Sequence, residues 1–330
     1  HAKKLIKEAA KCGVHYAKFQ KRNNKYLLKN TYNDPHPVPI NSFGSSYGKH
    51  REFLEFNISQ HSQLQRECLR LGVKYSTSVW DLTSAKEIVG IKPELIKIPS
   101  ATNTNFRVLK YLCKEYPGKI HISLGMTKRK EEEEIVKVFY DNQRLKDLVL
   151  YHCISSYPVE NEMLYLLELK RLINNYGNKI SGIGFSGHHK GISPDIAALT
   201  LGAEFFERHF TLDRTWKGTD HAASLEPDGL RKLSRDLKSV SNALKFKPSE
   251  ILDIENVQRK KLKKFHFNQV VVSGYSFFMF VIYLLNKFNY SIKEIPIYFH
   301  ERTHGKSKIP KIETFRTLLT LLLIKIGYFK

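Results

Sequence analysis

The stretch ISGIGFSGHHKGISPDIAALTLGAEFFERHF, residues 180–210, decides the fold. It opens on an apolar run of strand length, ISGIGFS, breaks at GHHKG, continues with SPDIAALTLG at helical period and closes on a second run, AEFFERHF. Strand, helix and strand in so short a span make a βαβ unit, whose strands lie parallel with a right-handed crossover. A histidine stands just past the first run, His188, and another near the end of the second, His209.

The same rhythm runs outward from this unit. VHYAKF (14–19), VKYSTSV (73–79), LIKIPS (95–100), KIHISLG (119–125) and LVLYHCIS (148–155) read as further strands. Between them lie amphipathic segments such as REFLEFNISQHSQLQRECLRLG, NFRVLKYLCKEY and MLYLLELKRLINNYG. That makes seven strands, preceded by a helix in HAKKLIKEAAKCG; one more strand is expected before His1. Eight βα repeats close a barrel, so the pattern predicts a TIM (βα)8-type barrel lacking its first strand. An open doubly wound sheet is the alternative, but no GxGxxG loop follows the first strand. The segment from Lys21 to His50, rich in Asn, Pro, Gly and Ser, is too long for an idle connection and reads as a substrate loop. The texture changes near Lys264, predicting a barrel over residues 1–264 and a small C-terminal α/β or helical appendage over 265–330.

Composition narrows the chemistry. Cys12, Cys68, Cys113 and Cys153 are widely spaced, which fits a reduced cytoplasmic interior and neither a disulfide framework nor a zinc cage. No signal-peptide pattern opens the chain. A formal charge of +22 favours anionic partners. Half of it is concentrated: from Arg259 to Lys330 fourteen Lys and Arg face three acidic residues. Nucleic acid is not the expected partner, because no aromatic platform or reader motif interleaves these cations. KRKEEEE (128–134) reads as a solvated helix start.

In a parallel barrel the loops after the strands converge on one face, where the chemistry is done. The polar residues at those strand ends are Lys18 and Gln20, Thr77, Lys97 and Ser100, Ser123, His152 with Tyr157, Ser186 with His188, and Glu207 with His209. Two lysines and several hydroxyls suit a phosphate, and two imidazoles suit a divalent ion that keeps open positions for water and substrate. Solvated lysines, helix-capping serines and core histidines are the competing readings. If the strand period persists, His189 points away from His188.

The run SGHHKGISPDIAALTLGAEFFERHFTLDRTWKGTDHAASLEP strongly resembles the sialic acid synthase (N-acetylneuraminate synthase) family. So do YAKFQ (16–20), SFGSSYGKHREFLEF (42–56), STSVWD (76–81), KIPSATNTNF (97–106), ISLGM (122–126) and HCISSYP (152–158). The resemblance covers residues 1 to about 264 and implies a TIM barrel. It implies an enzyme that condenses phosphoenolpyruvate with an N-acetylated hexosamine, N-acetylmannosamine or a relative, with or without a 6-phosphate. Residue by residue, it implies that Lys18, Lys97, Ser100, Ser123 and Ser186 hold phosphoenolpyruvate, with Ser155 standing where an asparagine is common. It implies that His188 and His209 ligate Mn or Mg, and that Gln20, Thr77, Tyr157 and Asp220 surround the sugar acceptor. A homodimer is also implied. The chain departs from the family pattern at Thr102, usually acidic, and at Gly187, often aspartate. The family's first strand, with its catalytic glutamate, and its antifreeze-like domain are not matched. A barrel that binds ligand or partner without turnover is the alternative.

The tail segment GYSFFMFVIYLLNKFNYSIKEIPIYFHERTHGKSKI resembles the C-terminal part of family 2 glycosyltransferases of the dolichol-phosphate mannosyltransferase type, without their nucleotide-sugar half. Polyprenyl-phosphate glycosyl transfer is the further alternative this implies. LLTLLLIKIGYF with its basic neighbours predicts a peripheral contact with anionic lipid; no window of about 20 apolar residues predicts a transmembrane helix.

Overall fold

The computed structural model describes residues 1–263, 274, 276–293, 295 and 311–328. These divide into two compact units, His1–Lys245 and Phe246–Lys330.

The first unit is one parallel sheet of seven strands in sequence order. They are β1 (Tyr16–Lys21), β2 (Lys74–Val79), β3 (Leu95–Ile98), β4 (Lys119–Ser123), β5 (Leu148–Cys153), β6 (Gly182–Gly187) and β7 (Phe205–Arg208). Every run read as a strand is one. Helix α1 (Ala2–Lys11) precedes β1, and α2 (Asn24–Leu27), α3 (Tyr47–Leu54) and α4 (Ile58–Arg70) lie between β1 and β2. Then α5 (Leu82–Gly90), α6 (Phe106–Glu115), α7 (Arg129–Asp141), α8 (Glu168–Tyr176) and α9 (Ser193–Thr200) alternate with the strands, and α10 (Pro227–Ala243) follows β7.

Strand alternation divides the two faces. Ile96, Ile98, Ile120, Ile122, Leu148, Leu150, Ile183 and Phe185 share one cluster with the helix residues Val108, Leu109, Leu112, Ile135, Phe139, Leu169 and Leu172. Each such side chain contributes about 1.5–3 kcal/mol when fully buried. The opposite parity carries Lys18, Ser78, Lys97, His121, Tyr151 and Glu207, an unusually polar interior for a barrel, where branched apolar layers dominate.

The sheet is curled. Six strand spacings would hold β1 and β7 about 29 Å apart in a flat sheet, yet Lys18 Nζ of β1 lies 3.6 Å from Glu207 Oε2 of β7. Among the described residues no ladder joins these two strands. The outer layer closes across them instead: Ala9 of α1 and Cys12, which caps that helix, pack with Leu225, Leu230 and Leu233 around α10, and Ser234 Oγ donates to the Gly13 carbonyl at 2.9 Å.

Two segments differ from expectation. Residues 51–72 form two helices, because Asn57 and Gln60 build a capping box with both bonds at 2.9 Å and start a new helix there. KRKEEEE is not wholly solvated: Glu132 is buried and accepts two 2.8 Å bonds from the Arg171 guanidinium of α8.

The second unit contains α11 (Asp253–Lys263), α12 (Ser276–Lys287) and α13 (Lys311–Lys325), with Phe280 and Leu284 of α12 buried against Ile324. No helix among the described residues is long and apolar enough to cross a membrane. The boundary residue Lys264, most of the segment IKEIPIYF and the whole of GKSK lie outside the described residues.

Candidate functional site

The inner face meets at the C-terminal ends of the strands. In register, Lys18 stands beside Ser76, Gln20 beside Ser78, Ser78 beside Lys97, and Ser186 beside Glu207. Glu207 gathers this set: its Oε2 is 2.8 Å from Lys97 Nζ and 3.6 Å from Lys18 Nζ, and its Oε1 accepts from Ser186 Oγ at 3.1 Å. Lys18 also donates to Ser78 Oγ at 3.2 Å. Two ammonium groups against one carboxylate leave a positive charge free to meet an anion.

Electrostatics act on the two partners in opposite senses. Burial would raise the Glu207 carboxyl, but Lys18 and Lys97 outweigh it and hold the group below the usual carboxylate range. Burial pushes the Lys97 ammonium down, with Glu207 opposing. Lys97 also lies 3.9 Å from the Tyr151 ring centroid, a cation–π contact in a dry interior. Gly184 makes room for that ring, since a Cβ there would stand 2.6 Å from Tyr151 carbons.

A group of hydroxyls adjoins the lysines. Ser100 Oγ accepts the Gly125 N–H at 3.1 Å and lies 3.7 Å from Cys153 Sγ. Ser123 and Ser186 are buried. Ser155 Oγ is buried without a hydrogen-bond partner and stands with Ser100 Oγ over Gly125, where a Cβ would collide with both. An unpartnered hydroxyl in a dry pocket is a donor held ready for a ligand oxygen.

The histidines meet as well. The rings of His188 and His209 are 5.2 Å apart and nearly perpendicular, and Tyr157 lies 4.2 Å from the first and 5.6 Å from the second. His188 Nδ1 is 2.8 Å from the Ile154 carbonyl, which can only accept, so the proton is on Nδ1 and Nε2 keeps its lone pair. Burial pushes His188 down to about 4 and lowers His209 too, so both rings are neutral at pH 7. Asp220 Oδ2 is 3.5 Å from His209 Nδ1. Two neutral, converging imidazoles fit a divalent ion that takes its other ligands from water or substrate; among the described residues no set of three or more His, Cys, Asp or Glu groups does so.

Behind this pair, on the outer face, Arg208 locks the loop that carries His188. Its guanidinium donates to Asp195 Oδ2 at 2.5 Å and to the carbonyls of His189 and Gly191 at 2.6 and 2.9 Å. His189 does point away from His188: its Nε2 lies 3.1 Å from Asp195 Oδ2.

Most of the sequence-predicted site converges, with Gln20 among it, accepting from Trp80 Nε1 at 3.0 Å. Thr77 does not. It shares parity with Tyr75, which packs against Ile6, Leu64 and Cys68 beneath the helices, so the inward hydroxyl of β2 is that of Ser78. His152 also faces outward, 2.7 Å from the Leu164 carbonyl. Ser78 and Tyr151 were not among the expected site residues, and Glu207 had no role; counting back by two from His209 finds Glu207, and matching Lys18 to its register partner finds the inward parity of β2.

Comparison with known proteins places this geometry. The model of the NeuB family matches residues 5–248. N-acetylneuraminate-9-phosphate synthase of Drosophila melanogaster is 36% identical over 253 residues, covering 76% of this chain and 67% of that protein. The Homo sapiens protein of the same name is 34% identical over 273 residues, covering 80% and 72%. The crystal structure of N-acetylneuraminic acid (sialic acid) synthetase from Leptospira borgpetersenii serovar Hardjo-bovis superposes with a TM-score of 0.66 at 25% identity, covering 79% of this chain and 85% of that one. A curled parallel sheet with this strand order, carried by a sequence that matches along three quarters of its length, makes the chain a member of the NeuB family.

Proposed function

We propose that the chain condenses phosphoenolpyruvate with an N-acetylated hexosamine, giving a nonulosonic acid and inorganic phosphate. The observation that carries this reading is the convergence of Lys18, Lys97 and the serine hydroxyls beside the His188–His209 pair. Phosphoenolpyruvate is a small trianion, and the surplus positive charge at Glu207 suits its phosphate and carboxylate. Ser100, Ser123, Ser155 and Ser186 supply hydrogen bonds, and Ser78 takes the place first expected of Thr77. Gln20, Tyr157 and Asp220 flank the acceptor. When bound by His188 and His209, Mn or Mg supplies Lewis-acid polarisation of the acceptor's aldehyde oxygen.

The bond changes balance. The enol carbon C3 attacks the aldehyde carbon, forming the new C–C bond and leaving a cationic C2, while the aldehyde C=O pair moves to its oxygen, which takes up a proton and becomes a hydroxyl. Water adds at C2 and gives up its protons, one balancing that hydroxyl and one leaving with phosphate as the C2–O bond to the bridging oxygen breaks and C2 becomes a ketone. Three carbons join six, so C6 of the hexose becomes C9 of the product. The inner face orients the enol toward the aldehyde and excludes competing water, which is where positioned residues lower a barrier most.

A second reading, binding without turnover, has one observation behind it: Glu207 is already committed to two lysines and is poorly placed to move a proton. One experiment separates the two. Phosphate release from phosphoenolpyruvate is followed with Mn or Mg and N-acetylmannosamine or its 6-phosphate, alongside calorimetric titration with phosphoenolpyruvate. Release that requires both sugar and metal supports synthesis; binding without release supports the second reading; neither binding nor release overturns both.

A further inference from the structure

The second unit carries a helix that turns its polar side inward. On α13, Glu313 and Thr320 are buried, at 9% and 5% exposure, on the same side as Ile324, which packs against Phe280 and Leu284 of α12. The polar groups of that side find partners within the helix. Thr317 Oγ1 donates to the Glu313 carbonyl and Thr320 Oγ1 to the Arg316 carbonyl, both at 2.8 Å, and Arg316 Nη1 donates to Glu313 Oε1 at 2.9 Å. These hydroxyls are therefore satisfied without water. The opposite side is apolar and open: Phe315, Leu318 and Leu322, continued by Ile326 just past the helix, recur every three or four residues and are 68%, 62%, 55% and 65% exposed. Phe278 and Ile282, four residues apart on α12, are exposed as well.

A helix at a water-facing surface has the reverse pattern, and a contiguous apolar stripe of this kind marks a surface that something else covers. Charge selects the occupant. From Arg259 to Lys330 fourteen Lys and Arg face three acidic residues, and exposed Arg316 and Lys325 flank the stripe on its two sides at helical spacing. So dense a like charge opposes pairing with a second copy, and a nucleic-acid backbone has nothing to lay against leucines. The interface of an anionic bilayer meets both demands, with acyl chains for the stripe and headgroups for the cations. Length decides the orientation: the 15 residues of α13 rise about 22 Å, short of the roughly 30 Å hydrocarbon core, so the helix lies along the interface.

We infer that the outward stripe of α13, from Phe315 to Ile326, is a docking surface for an anionic lipid bilayer, on which the helix rests in the membrane plane without crossing it. The apolar side chains enter the headgroup and acyl boundary, while Arg316 and Lys325 stay at headgroup level. The inward Glu313, Thr317 and Thr320 remain on the side away from lipid, with their hydrogen bonds already made. The surface is independent of the proposed condensation and stands or falls apart from it.

The full chain is sedimented with vesicles of phosphatidylcholine alone and of phosphatidylcholine mixed with phosphatidylserine. Binding to the mixed vesicles is expected to be roughly 30-fold tighter, the worth of two cations near the surface, and to weaken as salt is raised. L318Q/L322Q, at two exposed positions, should lower it by at least about 10-fold while circular dichroism shows the helices kept. K293Q/K325Q, exposed as well, should weaken only the binding to phosphatidylserine. No binding to either vesicle, equal binding to both, or affinity for the mixed vesicles that survives unchanged in both double variants overturns the inference. A dimer of the unaltered chain, seen by sedimentation velocity and dissolved by L318Q/L322Q, would give the stripe to a second copy and overturn it too.

Discussion

Replacing Glu207 with Gln keeps the shape of the side chain and removes the one charge that faces both Lys18 and Lys97. Breaking a buried pair by deleting one partner costs about 3–5 kcal/mol. Glu207 and Lys18 are 18% and 25% exposed, so solvent screening reduces this to about 2–4 kcal/mol at pH 7. A ceiling exists, because Lys97 can shed its proton: from an unfolded-state value of about 10.4 this costs about 4.6 kcal/mol at pH 7 and about 1.9 kcal/mol at pH 9. The sign follows. In E207Q the folded-state pKa of Lys97 is depressed, the unfolded chain binds more protons, and stability relative to wild type rises with pH. The penalty should therefore shrink to below about 2 kcal/mol by pH 9. Both tryptophans, Trp80 and Trp216, lie in the His1–Lys245 unit, so urea unfolding followed by tryptophan fluorescence reports that unit alone. In a domain of this size each kcal/mol moves Tm by about 2–4 °C, giving a shift of roughly 4–16 °C at pH 7. A cost under about 1 kcal/mol at pH 7, or one that is the same at pH 9, would refute the account of a carboxylate clamped by two cations.

Two further outcomes follow from the buried polar groups. Asp195→Asn leaves the Arg208 guanidinium without its counter-charge and is expected to cost about 2–4 kcal/mol in the same urea assay, Asn retaining part of the hydrogen bonding; a change within about 0.5 kcal/mol contradicts the clamp on the His188 loop. Burial holds His61 and His188 down to about 4 and His121 down to about 3. Their neutral forms contribute stability that is complete above the unfolded value of about 6.5 and is lost as pH falls through 4 toward 3, several kcal/mol in sum. Unfolding midpoints measured from pH 7 to 3.5 should fall steadily; a flat profile down to pH 4 would show these rings to be solvated.

The order of elements was legible because it is written in local periodicity. Apolar runs separated by helices of fixed length allow only parallel strands with crossovers, and ISGIGFS through AEFFERHF already contains a whole unit of that plan. The lysine and histidine positions were legible for the same reason: a residue at the end of such a strand has one working face to reach. Local rules failed where a single residue of register or a distant partner decides. Thr77 and Ser78 are adjacent and chemically alike, and the packing of Tyr75 against α1 and α4 determines which of them turns inward. The capping box at Asn57 divides a segment whose apolar period runs on unbroken. Glu132 looks like one of four solvated glutamates until Arg171 arrives from the next helix but one strand away.

The sequence by itself determined the seven strands, their alternation with helices and the residues offered at their ends, since these depend on spacing along the chain. Only the tertiary structure decided that Glu207 joins Lys97, 110 residues earlier, and Lys18 on the first strand. Curling the sheet converts its two far edges into neighbours, and charges that far apart in sequence leave no periodic trace of the meeting.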